Sequence, residues 1–531
     1  MLSTFQWARR ISSARWMQMA SGGLFVVLIA LPPQLLQSQD TSFQVMETTI
    51  RDVHAGYKSG TLTARQLVQM YLDRIDAYDQ KGPIINSVIT INPKALEEAD
   101  RLDAAMKSGL VGPLHGVPVV VKDMIDVAGL PTTYGSSIMK NFVPSRDSFV
   151  VEKLKKAGAI ILAKVTLGEF AGGDTYGSLF GETHNPYDLL RTVGGSSGGT
   201  GASIAANFST VGIGQEGFAS ISRPAAWNNM VGLRPTPGLV SGGGMGPMTR
   251  TVTDLAIVLD VIAGYDPESP ETALGVGQVP DTYTTFLDAN GLKGARIGIL
   301  REPMGYFSEP QSADFKIVTG VFDKAVGELK AAGAVVVDPI VIPHLSALLA
   351  KRRQGGGRPS GMRTVSSAAL ERNQEISRYL SQIPNSPYKT MQEVQDGPER
   401  RSKGTVGFDG DYAEYRVAQD DLMVNTLKVM ADHNLDAIVH KTVEHTATLI
   451  RDYTNPPYSN MKGTTHLSTF LGPIATITVP AGFTQEGLPV GITFFGRAYS
   501  EATLIRLAYA YEQSSHHRRP PNTTPALLAR P

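Results

Sequence analysis

SFVVEKLKKAGAIILAKV, residues 148–165, holds the fold class of this chain. Val150, Val151 and Leu154 sit at helical spacing among charged residues, and Gly158 ends that pattern. Ala159 to Ala163 then run unbroken and largely branched, too short for a helix and bounded by glycine, which predicts a buried strand. Helix, glycine, strand is the unit from which α/β sheets are built. The same grammar continues outward. VPVVVKDMIDVAG (117–129) begins as a strand-like run ending at Lys122. ARIGIL (295–300) reads as a strand, and FKIVTGVFDKAVGELKAAG (315–333) as a helix feeding the strand AVVVD (334–338). DAIVH, IATITVP and PVGITFF supply further strands, and SEATLIRLAYAYEQ (500–513) a late helix. The class predicted is α/β, with a large mixed, mostly parallel central sheet covered by helices.

Upstream, TTIRDVHAGYKSGTLTARQLVQMYLDRIDAYDQ (48–80) predicts two amphipathic helices broken at Gly60, with Thr63 capping the second. ALEEADRLDAAMKSG (95–109) predicts a third, stopped by Gly109. The first residues differ in kind. Arg9, Arg10 and Arg15 precede an apolar run, Leu24 to Leu31, that is shorter than the ~20 residues a membrane span needs. Pro32 and Pro33 close it. Residues 1–38 are therefore read as a signal peptide, and the protein as exported (periplasmic or secreted), with an uncleaved N-terminal anchor as the alternative. A single domain is expected over 43–525. KRRQGGGRPSGMR (351–363) and QIPNSPYKTMQEVQDGPERRSKGTVGFDGD (382–411) break the periodic pattern and are too polar for core. They predict a surface insertion over 351–411, or a lid shaping a substrate pocket.

Across 531 residues, 49 Lys and Arg balance 49 Asp and Glu, so no charge excess points to nucleic acid or an anionic surface as partner. With no cysteine, disulfides, thiolate metal sites and cysteine nucleophiles are excluded. No HExxH, clustered carboxylates or dinucleotide fingerprint stands in context, so neither metal nor organic cofactor is implied.

The chemistry concentrates in GGSSGGTGASIAANFSTVGIGQEGFASISRPAAW, residues 194–227. A flexible linker would not run on into Ala202, Ile204, Ala205 and Ala206. A phosphate loop would end in G-K-[ST], and this one does not. A nucleophile elbow, G-x-S-x-G, matches at Ser196 and again at Ser197, with His344, His440 and His466 as candidate partners. The remaining reading is a serine activated by a neutral lysine through a second serine. Lys122 ends the apolar run VPVVV. Working at pH 7 asks for an ordinary lysine pKa of about 10.4 to fall by ~3 units, or ~4 kcal/mol, which burial can supply. Gly217, Phe218 and Ala219 offer successive backbone N–H groups for an oxyanion.

GPLHGVPVVVKDMIDVAG (112–129), HNPYDLLRTVGGSSGG (184–199), SISRPAAWNNMVGLRPTPGLVS (220–241) and GPMTRTVTDLAIVLDVIAG (246–264) together resemble the amidase signature family. The resemblance covers nearly the whole chain after the leader, with a signature core at about 110–265. Ser220 follows Ser196 by 24 residues and Lys122 precedes Ser196 by 74, intervals similar to the family's. The resemblance implies that Ser220 is the nucleophile, Ser196 a cis-serine relaying its proton to Lys122, and Ser197 a support for the lysine by hydrogen bond. It implies an amidase: a serine amidohydrolase cleaving the C–N bond of a small amide, or the corresponding bond of a carbamate or ester, through an acyl-enzyme. The alternatives are the A-type component of an amidotransferase that works on misacylated tRNA, or a catalytically inactive member.

The family usually writes the nucleophile loop G-T-D-T-G-G-S, whereas this chain has Gly214-Gln215-Glu216-Gly217-Phe218-Ala219-Ser220. A positive φ at Phe218 or Ala219 would cost ~1–2 kcal/mol there, and Phe218 is expected to fill part of the acyl pocket. Arg223 has two readings, a grip on a substrate carboxylate or a structural ion pair. Arg250 and Asp254, four apart, are expected to pair at a helix N-terminus, Glu216 to serve as a helix N-terminal charge, and Trp227, Met245 and Met248 to pack.

Overall fold

Val119, Val120 and Val121 are wholly buried, as a strand covered on both faces requires. The computed structural model of the chain describes residues 43–352, 367–396, 412–454, 462–465, 467 and 472–527. Among them eleven strands form one sheet. In chain order these are β1 (Val88–Ile91), β2 (Pro118–Lys122), β3 (Ile160–Val165), β4 (Val211–Gln215), β5 (Val231–Arg234), β6 (Met245–Thr249), β7 (Arg296–Leu300), β8 (Val335–Ile340), β9 (Ala437–Lys441), β10 (Thr476–Phe483) and β11 (Pro489–Phe495). Their order across the sheet is β1-β3-β2-β4-β6-β5-β10-β11-β9-β7-β8.

The sheet is α/β and mixed, as expected, but parallel pairing is confined to two blocks. β2 runs parallel to β3 and β4, and β7 to β8 and β9. The strands between and beyond them pair antiparallel. Connection length explains the split. A helix crossover separates β2 from β3, and another β7 from β8, which parallel pairing needs. Only residues 484–488 join β10 to β11, and so short a link can make only a hairpin.

The opening stretch folds as read: helix Phe149–Lys156, then Gly158 at φ 91, then β3. Upstream lie the predicted helices Ile50–Ser59 and Ala64–Tyr78, the second with Thr63 accepting from Gln66 N in a capping box. The helix Ala95–Ala105 ends in a 3-10 turn at Gly109. The 1–38 leader and most of 351–363 lie outside the described residues. Within 351–411 the described residues include two helices, Ser367–Gln382 and Met391–Asp396, joined by a turn. It is not wholly polar surface: Ile376, Leu380, Tyr388 and Val394 bury against Met139 and Phe142 in a small core of their own. Arg372 bonds Asp126 and lies over the Tyr134 ring, tying this insertion to the loop that follows Lys122.

Candidate active site

Lys122 ends β2, held between β3 and β4, and none of its surface reaches solvent. An ammonium taken out of water loses hydration that nothing here replaces in full, so burial pushes the Lys122 pKa down to about 7. The Glu216 carboxylate works the other way, favouring the charged form. Nζ lies 2.7 Å from Ser196 Oγ and 3.1 Å from the Gln215 carbonyl oxygen.

Ser196 follows a cis peptide bond from Gly195 and is buried at the N-terminal side of the helix Gly198–Ala205. Its hydroxyl bridges Lys122 to Ser220, with 3.0 Å between the two serine Oγ atoms. The glycines after it answer to close packing. A Cβ on Gly198 would stand 2.1 Å from Thr175 Oγ1, and one on Gly199 2.3 Å from Thr166 Oγ1. Ser197 departs from its expected role. Its Oγ donates to the Gln215 carbonyl and accepts from Gln215 N, both at 3.2 Å, and makes no bond to Lys122. It fixes the carbonyl that Lys122 also uses, so its support of the lysine is indirect.

Ser220 stands on the loop between β4 and the short helix Ser222–Trp227. Its carbonyl accepts from Ser197 N at 3.0 Å, which ties the two serine loops together. Glu216 is the helix N-terminal charge expected: one carboxylate oxygen accepts from Ile221 N, Ser222 N and Ser222 Oγ. Ala219 takes φ 48, a left-handed conformation easy for the glycine of the family's loop and costing an alanine ~1–2 kcal/mol. Neither Gly217 N nor Ala219 N donates to an acceptor among the described residues, which leaves both available near Ser220. Phe218 has φ outside that region, and its ring packs 5.4 Å from the Tyr306 ring.

Arg223 is brought to the site, but not as a free cation. Its guanidinium meets Asp174 at 2.8 Å and donates to the carbonyls of Gly195 and Gly173 and to Thr464 Oγ1. Arg223 and Asp174 are both buried, so a substrate carboxylate would have to compete with an acid already in place. The geometry carries the structural reading and corrects the carboxylate grip. The Arg250–Asp254 pairing is also corrected. Arg250 reaches the carbonyls of Ile204, Ser209 and Thr48, while Asp254 accepts from Ile50 N. Trp227 and Met248 are buried packing groups, and Met245 nearly so.

The elbow reading fails on partners, because neither Ser196 nor Ser197 bonds a histidine. His440 is buried with Nδ1 against the Lys441 carbonyl, and His466 lies outside the described residues. Sequence reasoning missed the Gln215 carbonyl as a ligand of Lys122, since a backbone oxygen leaves no trace in residue identity. It missed Asp174 too. The one signal was the general need of a buried arginine for an acid, which does not say which acid.

The family profile described as Amidase matches residues 66–505. A probable amidase of Arabidopsis thaliana is 30% identical over 519 residues, covering 91% of this chain and 92% of that protein. The A-type component of the glutamyl-tRNA(Gln) amidotransferase of Gloeothece citriformis is 34% identical, covering 89% and 99%. The native peptide amidase from Stenotrophomonas maltophilia superposes with a TM-score of 0.73 at 34% identity, over 90% of this chain and 99% of that one. With the match spanning the whole sheet, including the strand that ends at Lys122 and the loops that carry Ser196 and Ser220, the chain belongs to the amidase family.

Proposed function

We propose that the protein is a serine amidohydrolase acting on linear amides of small molecules, with Ser220 as nucleophile. The observation that carries this reading is the buried chain Lys122 Nζ, Ser196 Oγ, Ser220 Oγ, with steps of 2.7 and 3.0 Å. A neutral Lys122 takes the proton of Ser196 as Ser196 takes that of Ser220, and Ser220 Oγ bonds to the amide carbonyl carbon. The oxyanion is met by the Gly217 and Ala219 N–H groups, with the Phe218 N–H beside them. As the C–N bond breaks, the proton returns through Ser196 to the leaving amine. Water then attacks the acyl-enzyme over the same relay, releasing the carboxylic acid and restoring Ser220.

The likeness to a peptide amidase supports peptide-derived amides as the first substrates to try. The test is covalent labelling of the protein with a fluorophosphonate, the modified peptide being mapped by mass spectrometry. A tag on Ser220 that is lost in Lys122→Ala is expected. A tag on Ser196 or Ser197 instead would refute the assignment. Glutamine-dependent ammonia release that needs added partner proteins would move the protein to the amidotransferase reading. Export on the leader read in residues 1–38 belongs to the same proposal, and recovery of full-length protein from the cytosol alone would overturn it.

A further inference from the structure

Ser220 opens onto a cavity of ≈ 220 Å³ whose other side-chain walls are Met124, Ala171, Gln215, Phe218 and Arg223. Pockets that take drug-sized ligands run to ~300–1,000 Å³, against ≈ 220 Å³ here. Only part of a substrate fits. The walls also offer little to a charged group. The guanidinium of Arg223 is matched by Asp174 at 2.8 Å, and the Gln215 amide donates to the Gly243 carbonyl at 2.8 Å. A carboxylate entering here would lose its water without gaining a counter-charge of its own.

Phe218 is the one aromatic wall of this cavity. Its ring lies 5.4 Å from that of Tyr306 at an interplanar angle of 51°, and Tyr306 is itself only 2% exposed. The Tyr306 backbone is clamped in turn: its N–H donates to the Thr464 carbonyl and its carbonyl accepts from Gly463 N. A ring backed by a buried, doubly bonded neighbour cannot retreat without displacing that neighbour from a close-packed site.

We propose that Phe218, braced on Tyr306, is the end stop of the acyl pocket, and that this chain acts on amides of short, uncharged acyl groups, up to about six carbons. The inference rests on Ser220 being the residue acylated. Phe218 is then a specificity-determining residue placed two positions before the nucleophile, where the family's usual loop has glycine.

The test compares wild type, Phe218→Leu and Phe218→Ala on p-nitroanilides of acetic, butyric, hexanoic and octanoic acids, with the succinyl derivative as the charged probe. In wild type, kcat/KM falls beyond hexanoyl, and succinyl is used far less than butyryl. In Phe218→Ala the octanoyl-to-acetyl ratio rises about fourfold for each methylene newly accommodated, or roughly fifteenfold over the two that octanoyl adds to hexanoyl, with Phe218→Leu between. A second readout needs no turnover: the rate at which alkyl fluorophosphonates of increasing chain length label Ser220. The same length profile in all three proteins, with Ser220 labelled, overturns the end stop and leaves the amidohydrolase reading standing. Absence of both turnover and label overturns the amidohydrolase reading and the end stop with it.

Discussion

The acid limb of the activity profile is the sharpest consequence of where Lys122 sits. Burial takes its pKa from 10.5 to about 7, a difference of about 5 kcal/mol between its two protonation states. At pH 7 about half the molecules then hold a neutral amine, against about one in three thousand for an ordinary lysine. The base must be neutral to accept a proton, so kcat/KM on a small neutral amide rises with pH through a midpoint near 7. It falls about tenfold for each pH unit below that midpoint. Glu216 supplies the perturbation. Its negative charge favours the ammonium, and Glu216→Gln removes the charge while keeping an acceptor for Ile221 N and Ser222 N. The midpoint is therefore expected to move to lower pH in that variant. Lys122→Arg, which cannot deprotonate, loses the limb and about 10²–10⁴ in rate. A chromogenic anilide assay between pH 5 and 9 measures all three proteins. An acid limb that survives in Lys122→Arg, or moves upward in Glu216→Gln, would refute the lysine-base reasoning.

Other substitutions test single contacts. Arg223→Met strands the buried Asp174 and is expected to cost about 3–5 kcal/mol in denaturant unfolding, with rates on neutral and acidic amides lowered alike. A loss confined to acidic amides would restore the carboxylate grip. Ala219→Gly relieves a left-handed alanine at φ 48, and after the extra chain entropy of glycine a gain of about 0.5–1 kcal/mol should appear in the melting temperature. A destabilised variant would contradict the backbone described. Glu512 accepts from Val252 N, and burial raises its pKa to about 7 from an ordinary 4.5. The folded state thus binds more protons than the unfolded one between those values, so this group's contribution to stability falls as pH rises from about 4.5 to 7. Glu512→Gln should stabilise the protein by up to about 3 kcal/mol at pH 8 and very little at pH 4, read by unfolding at both.

Much of this molecule is legible along the chain because its signals are local. Val119 to Val121 announce a buried strand, Gly158 a helix stop, and Thr63 an N-cap, each through the chemistry of a few neighbouring residues. The triad candidates were legible for a different reason. A lysine after an apolar run, two serines set between glycine pairs and a third shortly before Arg223-Pro224 are unusual residue types for their positions, and their spacing resembles a known family's. Pair direction was not local. Whether a strand lies parallel or antiparallel to its neighbour depends on the order in which the sheet is assembled, so a mostly parallel sheet was expected where β5, β6, β10 and β11 pair antiparallel.

By itself the sequence determined the class of fold and singled out Lys122, Ser196 and Ser220 as the candidate triad, because hydrophobic period, turn residues and reactive side chains are properties of short stretches. Only the tertiary structure decided what those side chains touch. It turned Ser197 toward the Gln215 carbonyl rather than Lys122, set Asp174 against Arg223, and backed Phe218 with Tyr306. Asp174 and Arg223 stand 49 positions apart and Phe218 and Tyr306 88 apart. Partners so distant meet only when the whole sheet has folded, and the burial that lowers the Lys122 pKa exists only then.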